Sequence, residues 1–192
     1  GANFGDLDND GYLDFYLGTG YPELEALMPN LMFRNRGGER FVDVTFAAGV
    51  GHLQKGHGIA FADLDNDGDQ DLFAEMGGFY PGDAFANALF ENPGVGNHFL
   101  SVKLVGTRSN RSAIGARIRV VVREHGKERS LFRWVNTGGS FGSGPLRREI
   151  RLGEETRVEK LEIYWPTSDT TQVFTDLETD RFLEIQEGQD EL

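Results

Sequence analysis

Phe4-Gly5-Asp6-Leu7-Asp8-Asn9-Asp10-Gly11-Tyr12-Leu13-Asp14 returns 57 residues later, Asp6 becoming Asp63, as Phe61-Ala62-Asp63-Leu64-Asp65-Asn66-Asp67-Gly68-Asp69-Gln70-Asp71. Each copy sets aspartates at positions 1, 3, 5 and 9 of a short loop with glycine at position 6: Asp6, Asp8, Asp10 and Asp14, then Asp63, Asp65, Asp67 and Asp71. Alternate residues of a tightly wound loop aim their side chains at one centre. Gly11 and Gly68 supply the positive φ that lets the chain turn there.

Charge density decides what such a loop is for. Carboxylates brought within about 4 Å repel one another by roughly 4 kcal/mol per close pair at an effective dielectric of ~20. A hard divalent cation removes that repulsion. Neither loop contains His or Cys, the donors that zinc prefers, and calcium accepts about 6–8 oxygens from carboxylates, backbone carbonyls and water. Tyr12 and Asp69, at position 7, are placed to offer backbone carbonyls. The expected cofactor is therefore Ca2+ at two sites, with Asp6, Asp8, Asp10, Tyr12 and Asp14 as one ligand set and Asp63, Asp65, Asp67, Asp69 and Asp71 as the other. A solvated Asp-rich turn without metal is the plainer alternative; two copies of one string weigh against it.

The EF-hand shares the first half of this pattern but needs a bidentate Glu at position 12 and a helix on each flank. Position 12 is Leu17 in one copy and Ala74 in the other, and the acid stands at position 9 instead. The flanks read as strands: Leu13, Phe15 and Leu17 alternate, and Ile59 and Phe61 precede the second loop. A nine-residue calcium loop in a β-hairpin is expected.

The 57-residue offset also carries Asn30-Leu31-Met32-Phe33-Arg34-Asn35 onto Asn87-Ala88-Leu89-Phe90-Glu91-Asn92, so the repeating element is a whole structural unit. Its period and its several short strands point to β-propeller blades rather than a helical solenoid. Strands are expected near 1–5, 12–18, 30–35 and 40–45. The Pro-bearing segments 19–29 and 76–86 read as loops, with one helical turn over 23–28. After Asn92 the repeat fails: Phe41-Val42-Asp43-Val44-Thr45 has no close counterpart, and Pro93-Gly94-Val95-Gly96 reads as a linker.

The charge changes at the same place. Of the net −12, residues 1–96 carry all of it, with 16 acids against 4 bases, while residues 97–192 balance 15 against 15. Two bound divalent ions would leave the chain at −8, which opposes nucleic-acid binding. No apolar run is long enough to span a membrane. Zero cysteines rule out disulfides and suit a disulfide-free secreted protein. The chain opens at Gly1 inside a motif, so a longer precursor with a secretory signal and further blades is expected.

Residues 97–188 read as strands throughout: 99–105, 116–122, 129–135, 146–152, 158–165, 171–174 and 182–185, separated by turn residues such as Gly106, Gly126, Gly153 and Pro166. Seven strands at this spacing suggest a β-sandwich, and Arg117-Ile118-Arg119-Val120 shows the alternation that sends apolar side chains inward. The expected fold is thus all-β: two propeller-type blades over 1–96 (1–57 and 58–96), a sandwich over 97–188 and an acidic tail over 189–192.

These residues also carry a family resemblance. Phe-Gly-Asp-Leu-Asp-Asn-Asp-Gly and Phe-Ala-Asp-Leu-Asp-Asn-Asp-Gly, with Phe41-Val42-Asp43-Val44-Thr45 and Ala48-Gly49-Val50, resemble FG-GAP/VCBS repeats, the calcium-loop propeller repeats also seen in integrin α-subunits. Asn97-His98-Phe99-Leu100, Gly106-Thr107-Arg108-Ser109-Asn110-Arg111, Ala113-Ile114-Gly115-Ala116-Arg117, Leu152-Gly153 and Tyr164-Trp165-Pro166 resemble the ASPIC/UnbV domain. The order is similar to bacterial relatives of cartilage acidic protein. The resemblance implies a secreted, surface-exposed or periplasmic calcium-binding propeller with a C-terminal sandwich. It departs at Glu149-Ile150-Arg151, where related domains often carry a His before Leu-Gly.

Sharper chemistry finds little support. Gly138-Gly139-Ser140-Phe141-Gly142 matches the nucleophile-elbow string, but Pro145 and an alternating strand follow where a helix is required. His52, His57, His98 and His125 lack ligand spacing. Aspartates in metal loops make poor general acids. Gln189-Asp190-Glu191-Leu192 and the sequon Asn110-Arg111-Ser112 depend on a eukaryotic secretory host, against which the cysteine-free composition argues. The expected function is a non-enzymatic extracellular scaffold with structural calcium, serving adhesion or the binding of an unidentified protein or glycan. The alternative is the non-catalytic C-terminal part of a secreted propeller enzyme whose active site lies in other blades.

Overall fold

The computed structural model describes residues 1–21, 23, 27–138 and 141–192. Ser140 and residues 24–26 of the turn expected over 23–28 fall outside them. The described residues form fourteen strands and no helix, so the chain is all-β. They divide into two compact units: Gly1–Asp8, Tyr12–Gly94 and Gly138–Gly144 in one, Asn9–Gly11, Val95–Thr137 and Pro145–Leu192 in the other.

The first unit contains the strands of both repeats. β1 (Ala2–Gly5), β2 (Asp14–Leu17), β3 (Leu31–Arg36) and β4 (Arg40–Asp43) form an antiparallel meander, and β5 (Gly56–Ala62), β6 (Asp71–Met76) and β7 (Ala88–Phe90) form a second one. The offset holds at the level of register. Phe4 pairs with Phe15 and Phe15 with Phe33, and 57 residues on Phe61 pairs with Leu72 and Leu72 with Phe90. Only the first sheet has a fourth strand, consistent with the missing counterpart of Phe41–Thr45.

Period-2 alternation gives each sheet two faces, and the unit's core forms where one face of each meets the other. Tyr16 and Met32 from the first sheet meet Ile59, Phe61, Leu72 and Ala74 from the second, all within 2% of full burial. Gly5 is required there, because a Cβ at that position would run into the Phe61 ring. Polar groups fasten the two sheets: Asn3 Nδ2 donates to Ile59 O (3.0 Å), Asp6 N to Gln70 Oε1 (2.7 Å) and Asn92 Nδ2 to Leu7 O (2.8 Å). Tyr16 donates its hydroxyl to Val50 O at 2.9 Å, and burial pushes the phenol above its ordinary pKa.

The second unit is two sheets around one core. β9 (Arg117–Glu124), β10 (Lys127–Trp134), β12 (Arg157–Trp165) and β13 (Thr170–Glu178) assemble in the order β10-β9-β12-β13. β8 (His98–Val105), β11 (Arg148–Gly153) and β14 (Arg181–Gln186) assemble as β11-β8-β14, with β14 parallel to β8. Ile118, Val120 and Val122 from one sheet and Leu100, Val102, Ile150 and Leu152 from the other join Trp165 in the core. Each such aliphatic side chain contributes about 1.5–3 kcal/mol on burial. Arg117 and Arg119 point away from the core, Arg117 over the Tyr164 ring (4.3 Å) and Arg119 paired with Glu128 and Glu162.

The C-terminal edge is locked by a buried acid. Glu187 Oε2 accepts from the N–H groups of Thr107, Arg108 and Ser109 at 2.7–2.8 Å, and Oε1 accepts from the hydroxyls of Ser109 (2.9 Å) and Ser168 (2.6 Å). Burial alone would raise this carboxyl, but the donors from Ser168, Ser109 and Thr107 hold it down at about 2.

Candidate metal centre

Each Asp-rich loop joins the first two strands of its sheet, β1 to β2 and β5 to β6. The two loops follow the same backbone path. Asn9 and Asn66, at position 4, take φ of 55° and 64°, and Gly11 and Gly68, at position 6, take 90° and 99°. Asn is among the few residues that tolerate the left-handed region, and at position 6 only glycine is at ease. The doubled Asp-Leu-Asp-Asn-Asp-Gly therefore encodes a turn as well as a donor set.

The aspartate at position 9 braces that turn. Asp14 Oδ2 accepts from Leu7 N (3.0 Å) and Oδ1 from Asn35 N (2.8 Å). Asp71 does the same with Leu64 N (3.1 Å) and Asn92 N (3.0 Å). One carboxylate thus closes its own loop and ties it to the third strand. Both are buried, and charge-assisted bonds of this kind are among the stronger ones.

Two groups of carboxylates converge. Oxygens of Asp6, Asp8 and Asp14 lie within 4.8 Å of one another, as do those of Asp63, Asp65 and Asp67. Asp6, Asp14 and Asp63 are buried; Asp65 and Asp67 are exposed. In the second loop the carboxylates also cap the turn, Asp65 Oδ1 accepting from Asp67 N (3.2 Å) and Asp67 Oδ1 from Asp69 N (2.9 Å). The all-oxygen donor sets and the close approach of like charges fit a hard divalent cation such as calcium. Among the described residues no other group of His, Cys, Asp or Glu converges in this way.

Of the ten residues expected to be ligands, these groups bring together Asp6, Asp8 and Asp14, and Asp63, Asp65 and Asp67. Asp10 and Asp71 stand outside the two groups, and Tyr12 and Asp69 are expected to contribute only their carbonyls. Asp71 falls outside although its counterpart Asp14 falls inside, so the two loops are not identical in their carboxylate placement.

Two features escaped the sequence reading. Asn35 and Asn92 are structural partners of the loops: Asn35 Nδ2 donates to Leu13 O (3.2 Å), and Asn92 Nδ2 donates to the equivalent Gln70 O (3.2 Å) as well as to Leu7 O. Their conserved offset from the loops within this chain was the available signal. The second is Arg34, whose guanidinium forms an ion pair with Asp8; 57 residues on, the same place is held by Glu91.

The histidines serve local structure. His57 Nε2 contacts Gly77 O (2.5 Å), His52 Nδ1 accepts from Gln54 N (3.1 Å), and His98 Nδ1 pairs with Asp180 (2.7 Å). Glu149 and Arg151 are both buried, Arg151 lying 3.3 Å from Glu149 and 5.6 Å from the Phe99 ring. The Asn110 amide of the sequon is engaged on both sides with Ile114, at 2.8 and 2.9 Å.

A family model described as an FG-GAP-like repeat matches residues 6–74, and one described as ASPIC and UnbV matches residues 106–192. No curated protein matches the chain.

Proposed function

We propose that this chain, in which FG-GAP-like repeats precede an ASPIC and UnbV domain, is an extracellular interaction module whose repeats are held in shape by two calcium ions. The observation that carries the proposal is the pair of convergent carboxylate groups on loops of the same backbone path. Asp6, Asp8 and Asp14 would hold one ion and Asp63, Asp65 and Asp67 the other, with Asp10, Asp71 and the carbonyls of Tyr12 and Asp69 as further donors. A bound cation supplies positive charge that converts carboxylate repulsion into attraction.

The protein's own residues do the rest. Asp14 and Asp71 close the loops, Asn35 and Asn92 tie them to the third strands, and Gln70 and Asn92 carry the restraint from one sheet to the other. Calcium occupancy thereby becomes stability of the first unit as a whole. At free calcium about 100-fold above its dissociation constant, each site adds ~2.7 kcal/mol. Such occupancy is reached by weak sites only where calcium is millimolar, which favours the cell exterior. FG-GAP-like repeats support the same location, and among the described residues no helix is long and apolar enough to cross a membrane.

In this reading calcium is structural, and the module binds a protein or glycan rather than turning over a substrate. Thermal melts in calcium and in chelator test it. The melting temperature is expected to rise by several degrees with calcium, and Asp8→Ala combined with Asp65→Ala to remove the rise. Identical melts with and without calcium would overturn the proposal.

A further inference from the structure

The larger sheet of the second unit turns toward solvent a face that is aromatic and cationic rather than simply polar. There β9 places Arg117 between Trp134 of β10 and Tyr164 of β12, its register partners on either side. The next outward row sets Arg119 between Phe132 and Glu162. Trp134 and Phe132 are each 51% exposed, and a groove of about 510 Å³ spans both rows. The arginines of this strand are not alike. Arg119 pairs with Glu128 and Glu162, and Arg123 pairs with Glu159. Arg117 is exposed, lies over the Tyr164 ring and, among the described residues, has no carboxylate partner.

Building on the reading of the chain as an interaction module, we infer that this groove binds a glycan containing uronic acids, Arg117 taking a carboxylate while Trp134 and Phe132 pack against sugar rings. A guanidinium over an aromatic ring keeps its charge, and its planar fork of N–H donors matches a carboxylate. Tyr164 fixes where that fork stands, 4.3 Å from its ring centre. Exposed rings offer an apolar plane to the C–H faces of pyranoses while the sugar hydroxyls stay in water. Two positions apart on one strand, Trp134 and Phe132 stand about 7 Å from each other, a spacing that neighbouring sugars of a chain can follow.

Other occupants fit less well. The groove has the size of a small-ligand site, about 300–1,000 Å³, rather than the extent of a stable protein interface, and a peptide adding a strand would use a sheet edge, not this face. Single-stranded nucleic acid also stacks on aromatic rings, but it needs a basic track along its phosphates. Residues 97–192 balance 15 acids against 15 bases, and Glu162 lies in the same groove. One unpaired cation among aromatic rings suits a ligand that presents one carboxylate per sugar.

Isothermal titration calorimetry on the full chain tests this, with oligogalacturonate, oligomannuronate and hyaluronan oligosaccharides as probes, in calcium and in chelator below both melting temperatures. At least one probe is expected to bind in both buffers, and its methyl ester, which keeps the rings and loses the charge, to bind roughly 10-fold or more weakly. Arg117→Ala is expected to weaken binding roughly 10- to 100-fold and Trp134→Ala several-fold, with circular dichroism melts unchanged because both side chains are exposed. Arg117→Lys is expected to fall between, keeping the charge without the fork. No binding of any of the three probes would overturn the inference, as would binding indifferent to esterification or to Arg117→Ala. A polyglutamate peptide or a single-stranded oligonucleotide bound more tightly than the oligouronates would overturn it in favour of a protein or a nucleic acid. Wild-type dimers dissolved by Trp134→Ala would do so by showing that a second copy covers the face. Binding found only in calcium, and lost in Asp8→Ala with Asp65→Ala, would move the glycan to the Asp-rich loops and overturn it as well. A calcium-dependent rise in melting temperature without oligouronate binding would overturn this inference and leave the proposed function standing.

Discussion

Arg34 makes the two Asp-rich loops unequal, and replacing it tests the electrostatic basis of the proposed metal sites. Its guanidinium is paired with Asp8, one of the three carboxylates converging in the first loop, and its Nε is buried with no hydrogen-bond acceptor. At the equivalent place beside the second loop stands Glu91, exposed and of opposite charge. The first loop thus carries a resident cation on Asp8, where the equivalent position beside the second loop is acidic. For calcium to use Asp8, the Arg34 pair must loosen. A pair at about 4 Å is worth roughly 4 kcal/mol at an effective dielectric of ~20. Side-chain exposures of 34% for Arg34 and 19% for Asp8 admit water and reduce the net cost of breaking it. About 1–2 kcal/mol remains after that screening, or roughly 5- to 30-fold in affinity. Calcium titration calorimetry on an Asp65→Ala background, which silences the second loop, reads the first site alone. There Arg34→Ala is expected to tighten binding by that factor while lowering stability in chelator, where the carboxylates lose their counter-ion. Unchanged or weaker calcium binding in Arg34→Ala would refute the reasoning, because Arg34 would then be neutral or an ally of the metal.

Two further outcomes follow from the packing. Glu187→Ala leaves three backbone N–H groups and two hydroxyls without their acceptor and is expected to cost about 2–4 kcal/mol in urea unfolding, with Glu187→Gln milder because it keeps one oxygen. The carboxyl is held below its ordinary 4.5 at about 2, so its contribution is full above pH 4.5 and lost as the pH falls toward 2; Glu187→Gln should flatten stability in that window alone. Gly5→Ala forces a Cβ into the Phe61 ring and is expected to destabilise the first unit by about 1–3 kcal/mol, read as a lower urea midpoint.

Much of this architecture was legible in the sequence because it is local or repeated. The doubled loop string specifies donors and turn at once, and Asn9, Gly11, Asn66 and Gly68 all adopt the positive φ that their types permit. Phe15 and Leu72, one offset apart, take equivalent register positions, and alternation placed Ile118 and Val120 inward with Arg117 outward. What the sequence concealed depends on long-range contact. Nothing local marks Asp14 as the acceptor of Asn35 N, or Glu187, just before the acidic tail, as the anchor for the amides at 107–109 some 80 positions earlier. The Gly-x-Ser-x-Gly string illustrates the same limit: Gly138–Gly144 belongs with the repeats, where Phe141 O accepts from Ile59 N at 3.2 Å. A chain-order reading assigned it to the sandwich.

The most direct measurement is the number of calcium ions the intact chain holds, counted by equilibrium dialysis at millimolar calcium with elemental analysis of the protein. Two convergent carboxylate groups predict two ions for the wild type, one each for Asp8→Ala and Asp65→Ala, and none for the double variant. A wild-type chain that binds no calcium, or one whose calcium survives both substitutions, would contradict the account.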